Sequence, residues 1–319
     1  MKERPTWWLE TSYTPSGLLR SIRSGCERDN VSKTIALAGV GEMGVTLARR
    51  MIAKGHRVVT SAPRSKASVQ RAMEAGIEVI QEPEICEADF FFSVVPSEAA
   101  LPLAERVASI CRGQSRRPVY CDWNAISPAL MHRIANHLSE ADIKVVDGGI
   151  IGLADWSVTT PGPILYASGP NASLLKEYGD LGLQISVMHS DLGAASALKL
   201  SYAAITKGLI AIASISALAA EQSGCGVALV NELAKSQPDL LRSFSKSVPN
   251  MLPKGQRWVS EMQQISEYFG SALPQGAAYF ALSQVFAFIA SDTEAGNILA
   301  HFYSQVRPGS PPDRTSKLS

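Results

Sequence analysis

The pattern of apolar and polar positions divides the chain into two parts near residue 190. Before that point, short apolar runs alternate with longer segments whose apolar residues recur every three or four positions. Short runs bounded by turn residues are typical of buried strands, and the longer period is typical of amphipathic helices. The first part is therefore predicted to be a parallel sheet wrapped by crossover helices. After residue 190 the pattern is helical only.

The individual elements follow from the same pattern and from the turn residues between them. Strands are predicted at residues 35–38, 57–61, 77–80, 88–96, 118–122, 144–147, 163–167 and 183–187. Helices are predicted at residues 64–75, 191–221, 227–234, 237–246, 257–269, 277–289 and 293–304. The helix at 191–221 would be about 45 Å long, which is enough to link two lobes. Its most apolar run, residues 208–220, is shorter than the roughly 20 residues that cross a bilayer, which favours a buried helix.

A glycine-rich turn follows the first strand and opens a helix, with the sequence Gly39-Val40-Gly41-Glu42-Met43-Gly44. In this G-x-G-x-x-G pattern, Gly39 allows the tight turn, Gly41 lets the backbone approach a pyrophosphate, and Gly44 lets helix and strand pack closely. The free N–H groups at the helix N-terminus would bind the pyrophosphate. We therefore predict a dinucleotide-binding βαβ unit with residues 39–44 in contact with the cofactor. The alternative is a purely structural glycine-rich turn.

Two further segments complete the predicted cofactor site. Val94, Val95 and Pro96 end the fourth strand at the carboxyl edge of the sheet, where cofactors lie in this kind of fold. An NAD-binding enzyme usually has Asp or Glu at the end of the second strand to bind the ribose hydroxyls, but the segment from Ser61 to Lys66 contains no carboxylate. It offers Ser61, Arg64 and Ser65, which suit a 2′-phosphate, so we predict NADP over NAD. Alternatively, Arg64 and Lys66 are solvated residues of a first helical turn.

Composition limits the classes of partner. The chain has 319 residues, 46% hydrophobic and 18% charged, enough for a large core and about two domains. A net charge of +1 gives no electrostatic basis for binding nucleic acid or an anionic membrane. The five cysteines are scattered and odd in number, which favours a reducing compartment, the cytoplasm by default. His132 and His137 face different sides of a predicted helix, so no metal site is predicted.

These features give a domain organisation. Residues 1–30 are expected to form a weakly ordered arm, because they show no sustained helical or strand period. Residues 31–190 are predicted to form a Rossmann-type dinucleotide-binding domain, a doubly wound parallel sheet of the α/β class. Residues 191–306 are predicted to form an all-α substrate and dimerisation domain that begins with the long interdomain helix. Residues 307–319 are expected to be a disordered tail.

In these motifs and in their order along the chain, the sequence resembles the β-hydroxyacid dehydrogenase superfamily, which includes 3-hydroxyisobutyrate and 6-phosphogluconate dehydrogenases. The resemblance rests on the glycine-rich turn, on the segment Asp147-Gly148-Gly149-Ile150-Ile151-Gly152, and on Gly193-Ala194-Ala195-Ser196-Ala197-Leu198-Lys199. It implies that Lys199 is the catalytic acid/base of a dehydrogenase acting on a small hydroxyacid or a related alcohol, for which the segment after the second strand predicts NADP as the cofactor. It also implies substrate binding by the segment after Asp147, in particular Gly149, Ile151 and Gly152.

This chain departs from the family pattern in ways that affect the substrate. Ala203 stands where the family has an asparagine four residues after the lysine, and Gly149 replaces a proline. Tyr202 and Thr206 share a predicted helix face with Lys199 and are candidates to replace the asparagine in substrate binding. Asn124 is a further candidate, although it could equally be a turn residue that bonds its own backbone.

The sequence is compatible with three hypotheses about the function. The presence of Lys199 favours hydroxyacid chemistry over that of the imine reductases, which share this architecture and generally lack the lysine. The third hypothesis is a non-catalytic NADP-binding regulator with a degenerate pocket. Under any of them, the small residues of the long helix suggest a surface that is too apolar for water, and with the family resemblance they predict a homodimer. These small residues are Ala203, Ala204, Gly208, Ala211, Ala213, Ala217 and Ala220.

Overall fold

The computed structural model describes residues 32–61, 65–154 and 162–306. The predicted N-terminal arm and C-terminal tail lie outside these residues, and so does Arg64. The described chain contains one mixed α/β region up to Val187 and a helical region from Ala194 onward.

The α/β region is built on one eight-stranded sheet with the order β3-β2-β1-β4-β5-β6-β7-β8. The strands are β1 (Thr34–Ala38), β2 (Arg57–Ser61), β3 (Glu78–Ile80), β4 (Phe90–Ser93), β5 (Val119–Asp122), β6 (Val145–Ile151), β7 (Ile164–Ser168) and β8 (Gln184–Val187). Strands β1 to β6 are all parallel, and the order reverses between β1 and β4. The predicted doubly wound fold is therefore confirmed, and the glycine-rich turn after β1 lies at the switch point where such folds bind ligands.

The edge of the sheet differs from the prediction in two ways. Strand β7 runs antiparallel to β6, with Gly149 opposite Tyr166, so the sheet is not wholly parallel. The connection from Ile151 to Ile164 has about a dozen residues, the lower limit for a crossover, and the chain returns as an antiparallel neighbour instead. In addition, the glycine-rich segment after Asp147 continues strand β6 to Ile151, because β7 pairs with it over that whole length.

Helices cover both faces of the sheet. They are α1 (Glu42–Ala53), α2 (Lys66–Glu74), α3 (Ser97–Cys111), α4 (Pro128–Ser139) and the single turn α5 (Leu174–Glu177), with a 3-10 helix at Glu82–Glu87. Alternate residues of β1 point to opposite faces, so Ile35 and Leu37 pack with α1 while Ala36 packs with α3 and α4. Each face therefore has its own apolar core.

The second region contains, among the described residues, six α-helices and a 3-10 helix at Leu252–Lys254. The α-helices are α6 (Ala194–Gln222), α7 (Gly226–Ser236), α8 (Pro238–Met251), α9 (Gly255–Tyr268), α10 (Pro274–Ser291) and α11 (Thr293–Ser304). Their apolar faces enclose a separate core that includes Leu200, Met262, Phe286 and Phe302. The N-terminal part of α6 instead packs against β6 of the sheet, so this helix belongs to both regions.

The small residues of α6 do not form the exposed surface that the sequence suggested. Ala203, Ala204, Ala211 and Ala217 are each at most 4% exposed, because helices of the same chain pack against them. The α6 helix is long and apolar enough to cross a membrane by length and composition, with half of its most apolar window buried in the protein. Another row of α6 is exposed instead, and it contains Ile205, Leu209 and Ile212.

Candidate active site

The glycine-rich turn has the geometry that a bound pyrophosphate requires. Gly39 has φ +100, and a Cβ atom there would lie 1.9 Å from the Val94 carbonyl oxygen. A Cβ atom on Gly44 would lie 1.9 Å from the Gly39 carbonyl oxygen, so only glycine fits either position. At Gly41 nothing lies within 4 Å of the added atom, so the turn is open on the side that faces the cavity. Gly41 also begins α1 without a capping side chain, which leaves the first N–H groups available to an anion.

A cavity of about 480 Å³ lies between this turn and the helical region. Its walls come from the glycine-rich turn, from the ends of β4, β5 and β6, and from α6 and α9. Of the residues predicted from the sequence, it is lined by Gly41, Glu42, Met43, Gly44, Val94, Val95, Pro96, Asn124, Gly152 and Lys199. The predicted pyrophosphate turn and the predicted catalytic lysine therefore share one cavity.

A second cavity, of about 350 Å³, continues along the sheet edge past Gly39 and Val40. It is lined by the hydroxyl groups of Thr60 and Ser61 at the end of β2, where the adenosine half of a dinucleotide would lie, and by that of Ser68 in α2. Glu82 also lines it, but this carboxylate makes a two-point ion pair with Arg106.

Asp147 fixes the start of α6 and thereby the position of Lys199. Its buried carboxylate at the centre of β6 accepts hydrogen bonds from the backbone N–H groups of Ala195 and Ser196, at 2.9 and 3.1 Å. It also accepts hydrogen bonds from the hydroxyl groups of Ser168 and Ser196. A carboxylate at a helix N-terminus satisfies free N–H groups and interacts favourably with the helix dipole. Lys199 follows one helical turn after Ala195.

The Lys199 ammonium group donates a hydrogen bond to the carbonyl oxygen of Ile150 at the edge of the cavity. Burial, assisted by the nearby Arg257 guanidinium, lowers the pKa of Lys199 to about 8. Both effects disfavour the charged form. A lysine with this pKa can gain or lose a proton near neutral pH, which general acid–base catalysis requires.

Helix α9 brings charged residues to the cavity that the sequence reasoning missed. Lys254, Arg257 and Glu261 line the wall beside Lys199. Glu261 forms an ion pair with Lys207 of α6, and the Lys207 ammonium lies 4.9 Å from the Trp258 ring centre. The sequence shows that Arg257 and Glu261 are four residues apart. It does not show that Glu261 pairs with Lys207, because this contact depends on how α9 packs on α6.

Asn124 lines the cavity, but its amide is committed to the protein. Its side-chain oxygen accepts a hydrogen bond from the Val95 N–H at 2.6 Å, and its NH₂ group donates to Ser93 and Asp122 at 2.8 and 2.9 Å. Both amide hydrogens are used, so Asn124 holds the ends of β4 and β5 together. Burial raises the pKa of the Asp122 carboxyl to about 7.

Four other predicted substrate contacts do not line this cavity. A Cβ atom on Gly149 would lie 2.8 Å from the Ala195 carbonyl oxygen, so this glycine lets α6 approach β6. Ile151 lies outside the lining, and its neighbour Ile150 lines the cavity because side chains alternate along a strand. The Tyr202 side chain is half-exposed, and Thr206 donates its hydroxyl hydrogen to the Tyr202 carbonyl oxygen. The row of α6 that approaches the charged wall contains Lys199 and Lys207.

The residues predicted to bind the 2′-phosphate are only partly described. Ser61 lines the second cavity, whereas Ser65 caps α2 by accepting a hydrogen bond from the Ser68 N–H at 3.2 Å. Arg64 lies outside the described residues.

Comparisons with known proteins agree with this architecture. Residues 34–174 match the family described as the NAD binding domain of 6-phosphogluconate dehydrogenase. Residues 220–289 match DUF1932, a domain of unknown function. An uncharacterised 28.5 kDa protein of Methanothermus fervidus is 29% identical over 180 residues, which cover 56% of this chain and 67% of that protein.

Solved structures share the fold at low identity. The 3-hydroxyisobutyrate dehydrogenase of Mycobacterium tuberculosis is 17% identical with a TM-score of 0.65, over 86% of this chain and 99% of that one. An imine reductase of Myxococcus stipitatus is 17% identical with a TM-score of 0.51, over 85% and 99%. A conserved protein of unknown function, similar in structure to 3-hydroxyacid dehydrogenases, is 24% identical with a TM-score of 0.62, over 82% and 99%.

The resemblance predicted from the sequence is therefore confirmed at the level of domains and fold: residues 34–174 match the NAD-binding domain of 6-phosphogluconate dehydrogenase, residues 220–289 match DUF1932, and the fold is shared with a 3-hydroxyisobutyrate dehydrogenase.

Proposed function

We propose that this protein is an NADP-dependent oxidoreductase acting on a small hydroxyacid or a related alcohol, with Lys199 as the general acid/base. The observation that carries the proposal is the placement of Lys199 in the cavity that also contains the open face of the glycine-rich turn. A nicotinamide cofactor, when bound, accepts or supplies the hydride. The residues of the chain have to bind both molecules and move the proton.

The proton transfer follows from the environment of Lys199. In the oxidation direction the neutral amine accepts the proton of the substrate hydroxyl, and in the reduction direction the ammonium returns it to the carbonyl oxygen. The Ile150 carbonyl oxygen holds the Lys199 nitrogen at the cavity wall. The side chain therefore already has the conformation in which it can reach the substrate, and little conformational entropy is lost in the reaction.

The choice of NADP is supported by the chemistry at the end of β2. The described part of the second cavity offers the hydroxyl groups of Thr60, Ser61 and Ser68 and no carboxylate free of an ion pair. A carboxylate there would repel a 2′-phosphate, whereas hydroxyl groups and the cationic Arg64 of the following segment suit it.

An imine reductase is the second candidate, and a non-catalytic NADP-binding regulator is the third. The shared fold and the replacement of the family asparagine by Ala203 favour the imine reductase, since imine reduction does not need a side chain that orients a carboxylate beside the lysine. Against both alternatives stands the presence of Lys199 in the cavity, since the imine reductases generally lack this lysine and a regulator would not need a group that transfers protons.

The deciding experiment is a turnover assay with purified protein, NADPH or NADP⁺, and a panel of hydroxyacids, aldehydes, keto acids and cyclic imines. Turnover of hydroxyacids or their carbonyl products supports the proposal. Turnover confined to imines supports the second candidate, and tight NADPH binding without any turnover supports the regulator.

We also propose that the enzyme works as a homodimer in the cytoplasm. A reducing compartment is consistent with the free cysteines Cys86, Cys111, Cys121 and Cys225.

A further inference from the structure

The cavity wall formed by the start of α9 carries two cations that lack strong partners. Lys254 and Arg257 both line the cavity, three residues apart. Within the described ranges, the Lys254 ammonium has no hydrogen bond or ion pair, and the Arg257 guanidinium has only a 3.5 Å ion pair with Glu261. Both side chains are exposed to the solvent of the cavity, with Arg257 62% exposed, so they are free to bind an anion there, which would also relieve their mutual repulsion.

Glu261 does not neutralise these two cations. Its carboxylate is in direct contact with the Lys207 ammonium, and both side chains are largely buried, at 16% and 14% exposure. Whether the pair is ionised or shares one proton, its total charge is zero. Lys254 and Arg257 therefore leave two positive charges on the wall beside Lys199.

The cofactor would bind in the same cavity. The glycine-rich turn, with Glu42 in the first turn of α1, lines it together with Lys199, Lys254 and Arg257. A substrate whose reacting carbon lies near Lys199 could therefore place its far end against Lys254 and Arg257.

We propose that Lys254 and Arg257 form an anion-binding subsite for a hydroxyacid that carries a second anionic group, either a carboxylate or a phosphate. The substrate then brings at least two negative charges to a wall that offers two positive ones, and a guanidinium binds either group in two-point fashion. Glu261 is a positioning residue, because it holds Lys207 with one oxygen and lies beside the Arg257 Nε with the other. This inference rests on the proposed function and names its substrate class.

The test uses a series of β-hydroxyacids that differ only at the far end, which is a methyl, carboxamide, carboxylate or phosphate group. The wild type is expected to prefer the carboxylate or the phosphate over the carboxamide by at least about tenfold in kcat/KM. Arg257→Gln should reduce this preference by about 10- to 100-fold, and Lys254→Gln by about threefold to tenfold. Because the preference is a ratio, any effect of Arg257 on the pKa of Lys199 cancels.

Arg242→Gln is the matched control, since this arginine of α8 is exposed and makes a local ion pair with Asp239. It should leave the preference unchanged, and all three variants should bind NADPH as the wild type does. The subsite is overturned if the wild type shows no preference, or if both α9 variants keep it, or if they weaken NADPH binding instead. Whether the carboxylate or the phosphate is preferred identifies the second group.

Direct binding separates failure of the subsite from failure of the proposed function. Malonate and inorganic phosphate, titrated calorimetrically into the wild-type protein with NADPH bound, should bind more tightly than acetate. Arg257→Gln should abolish that difference. If no hydroxyacid is turned over but the anions still bind through Arg257, the reaction is wrong and the subsite stands. If the enzyme turns over hydroxyacids and the anions do not bind, the subsite is wrong and the reaction stands.

Discussion

At the residue scale, the enzyme hypothesis depends on Lys199. Lys199→Met keeps the length and the apolar part of the side chain but removes the group that transfers the proton. We expect kcat to fall by about 10²- to 10⁴-fold, the usual contribution of general acid–base catalysis, with NADPH affinity nearly unchanged. Steady-state kinetics with a deuterated substrate would check this, because an isotope effect shows that chemistry limits the rate. A variant that keeps more than about a third of the wild-type kcat would mean that the proton comes from another group.

The pH dependence of the wild type is a separate prediction from the lowered pKa of Lys199, about 8. Oxidation needs the neutral amine, so its rate should rise as the pH increases through about 8. Reduction needs the ammonium, so its rate should fall over the same range. Arg257→Gln removes a nearby positive charge that disfavours the ammonium, and it should move both transitions to higher pH. Profiles of kcat/KM in both directions would measure this, and transitions that persist in Lys199→Met would point to a different ionising group.

Cofactor choice gives a prediction on a residue outside the described ranges. Arg64→Ala should raise the KM for NADPH by about 10- to 100-fold, since one charge-assisted contact is worth about 1.5–3 kcal/mol, and it should barely change the KM for NADH. Arg133→Ala, an exposed position on α4, serves as the control. Equal losses with both cofactors would indicate that Arg64 supports the fold and not the phosphate.

At the scale of elements, the connection between β6 and α6 is the feature that aligns the site. Asp147→Asn removes the charge at the start of α6 and replaces one acceptor oxygen by an NH₂ group. That group would face either the N–H groups of Ala195 and Ser196 or the Ser196 hydroxyl, which now donates to the carboxylate, so at least one of these hydrogen bonds is lost. We expect the free energy of unfolding to fall by about 1–3 kcal/mol, the cost of unsatisfied buried hydrogen bonds, and kcat to fall because Lys199 shifts. Thermal unfolding and kinetics would measure both.

The matched control for this variant is Asp142→Asn. Asp142 is exposed and has φ 54, a conformation that asparagine tolerates, so neither stability nor kcat should change. If Asp147→Asn behaves like the control, the carboxylate does not position α6.

The elements themselves were largely predictable, because their period is a local property of the sequence. The last helix, 293–304, has the predicted bounds, and α6 begins three residues later than expected because Asp147 and Gly193 set its start. The antiparallel β7 and the extension of β6 through Gly148 and Gly149 were missed, since glycine in a strand looks like a turn until its pairing partner is known.

The site was less predictable than the fold, for a physical reason. Gly41 and Lys199 occur in local motifs, so the sequence could propose both as site residues, and both line the cavity. The contact between Lys207 and Glu261 joins positions 54 residues apart, and it depends on how α9 packs on α6. Helical spacing alone suggested Tyr202 and Thr206 as neighbours of Lys199, but neither lines the cavity: Tyr202 is half-exposed, and the Thr206 hydroxyl donates to the Tyr202 carbonyl oxygen.

At the scale of the whole molecule, the distribution of exposed apolar side chains is the basis for predicting a homodimer. Tyr202, Ile205, Leu209 and Ile212 form a stripe along α6, in which Ile205 and Ile212 are 64% and 51% exposed. Phe280 and Phe288 of the neighbouring helix α10 are each 51% exposed. We therefore keep the prediction of a homodimer but assign the contact to a different surface of α6. The alanines of α6 fill the core of the chain, and the larger exposed side chains are the candidates for the contact.

We expect the protein to form a dimer with about twice the monomer mass of 34.1 kDa at micromolar concentration, because a contiguous apolar stripe is unfavourable in water. Burying two charges in a symmetric contact is costly, so Ile205→Asp together with Ile212→Asp should shift the equilibrium to monomer. Light scattering and sedimentation velocity would measure the mass, and Met73→Asp on α2, an equally exposed residue away from the stripe, is the control. A wild-type monomer at these concentrations would contradict the dimer. A dimer that survives both aspartates would place the contact on another surface.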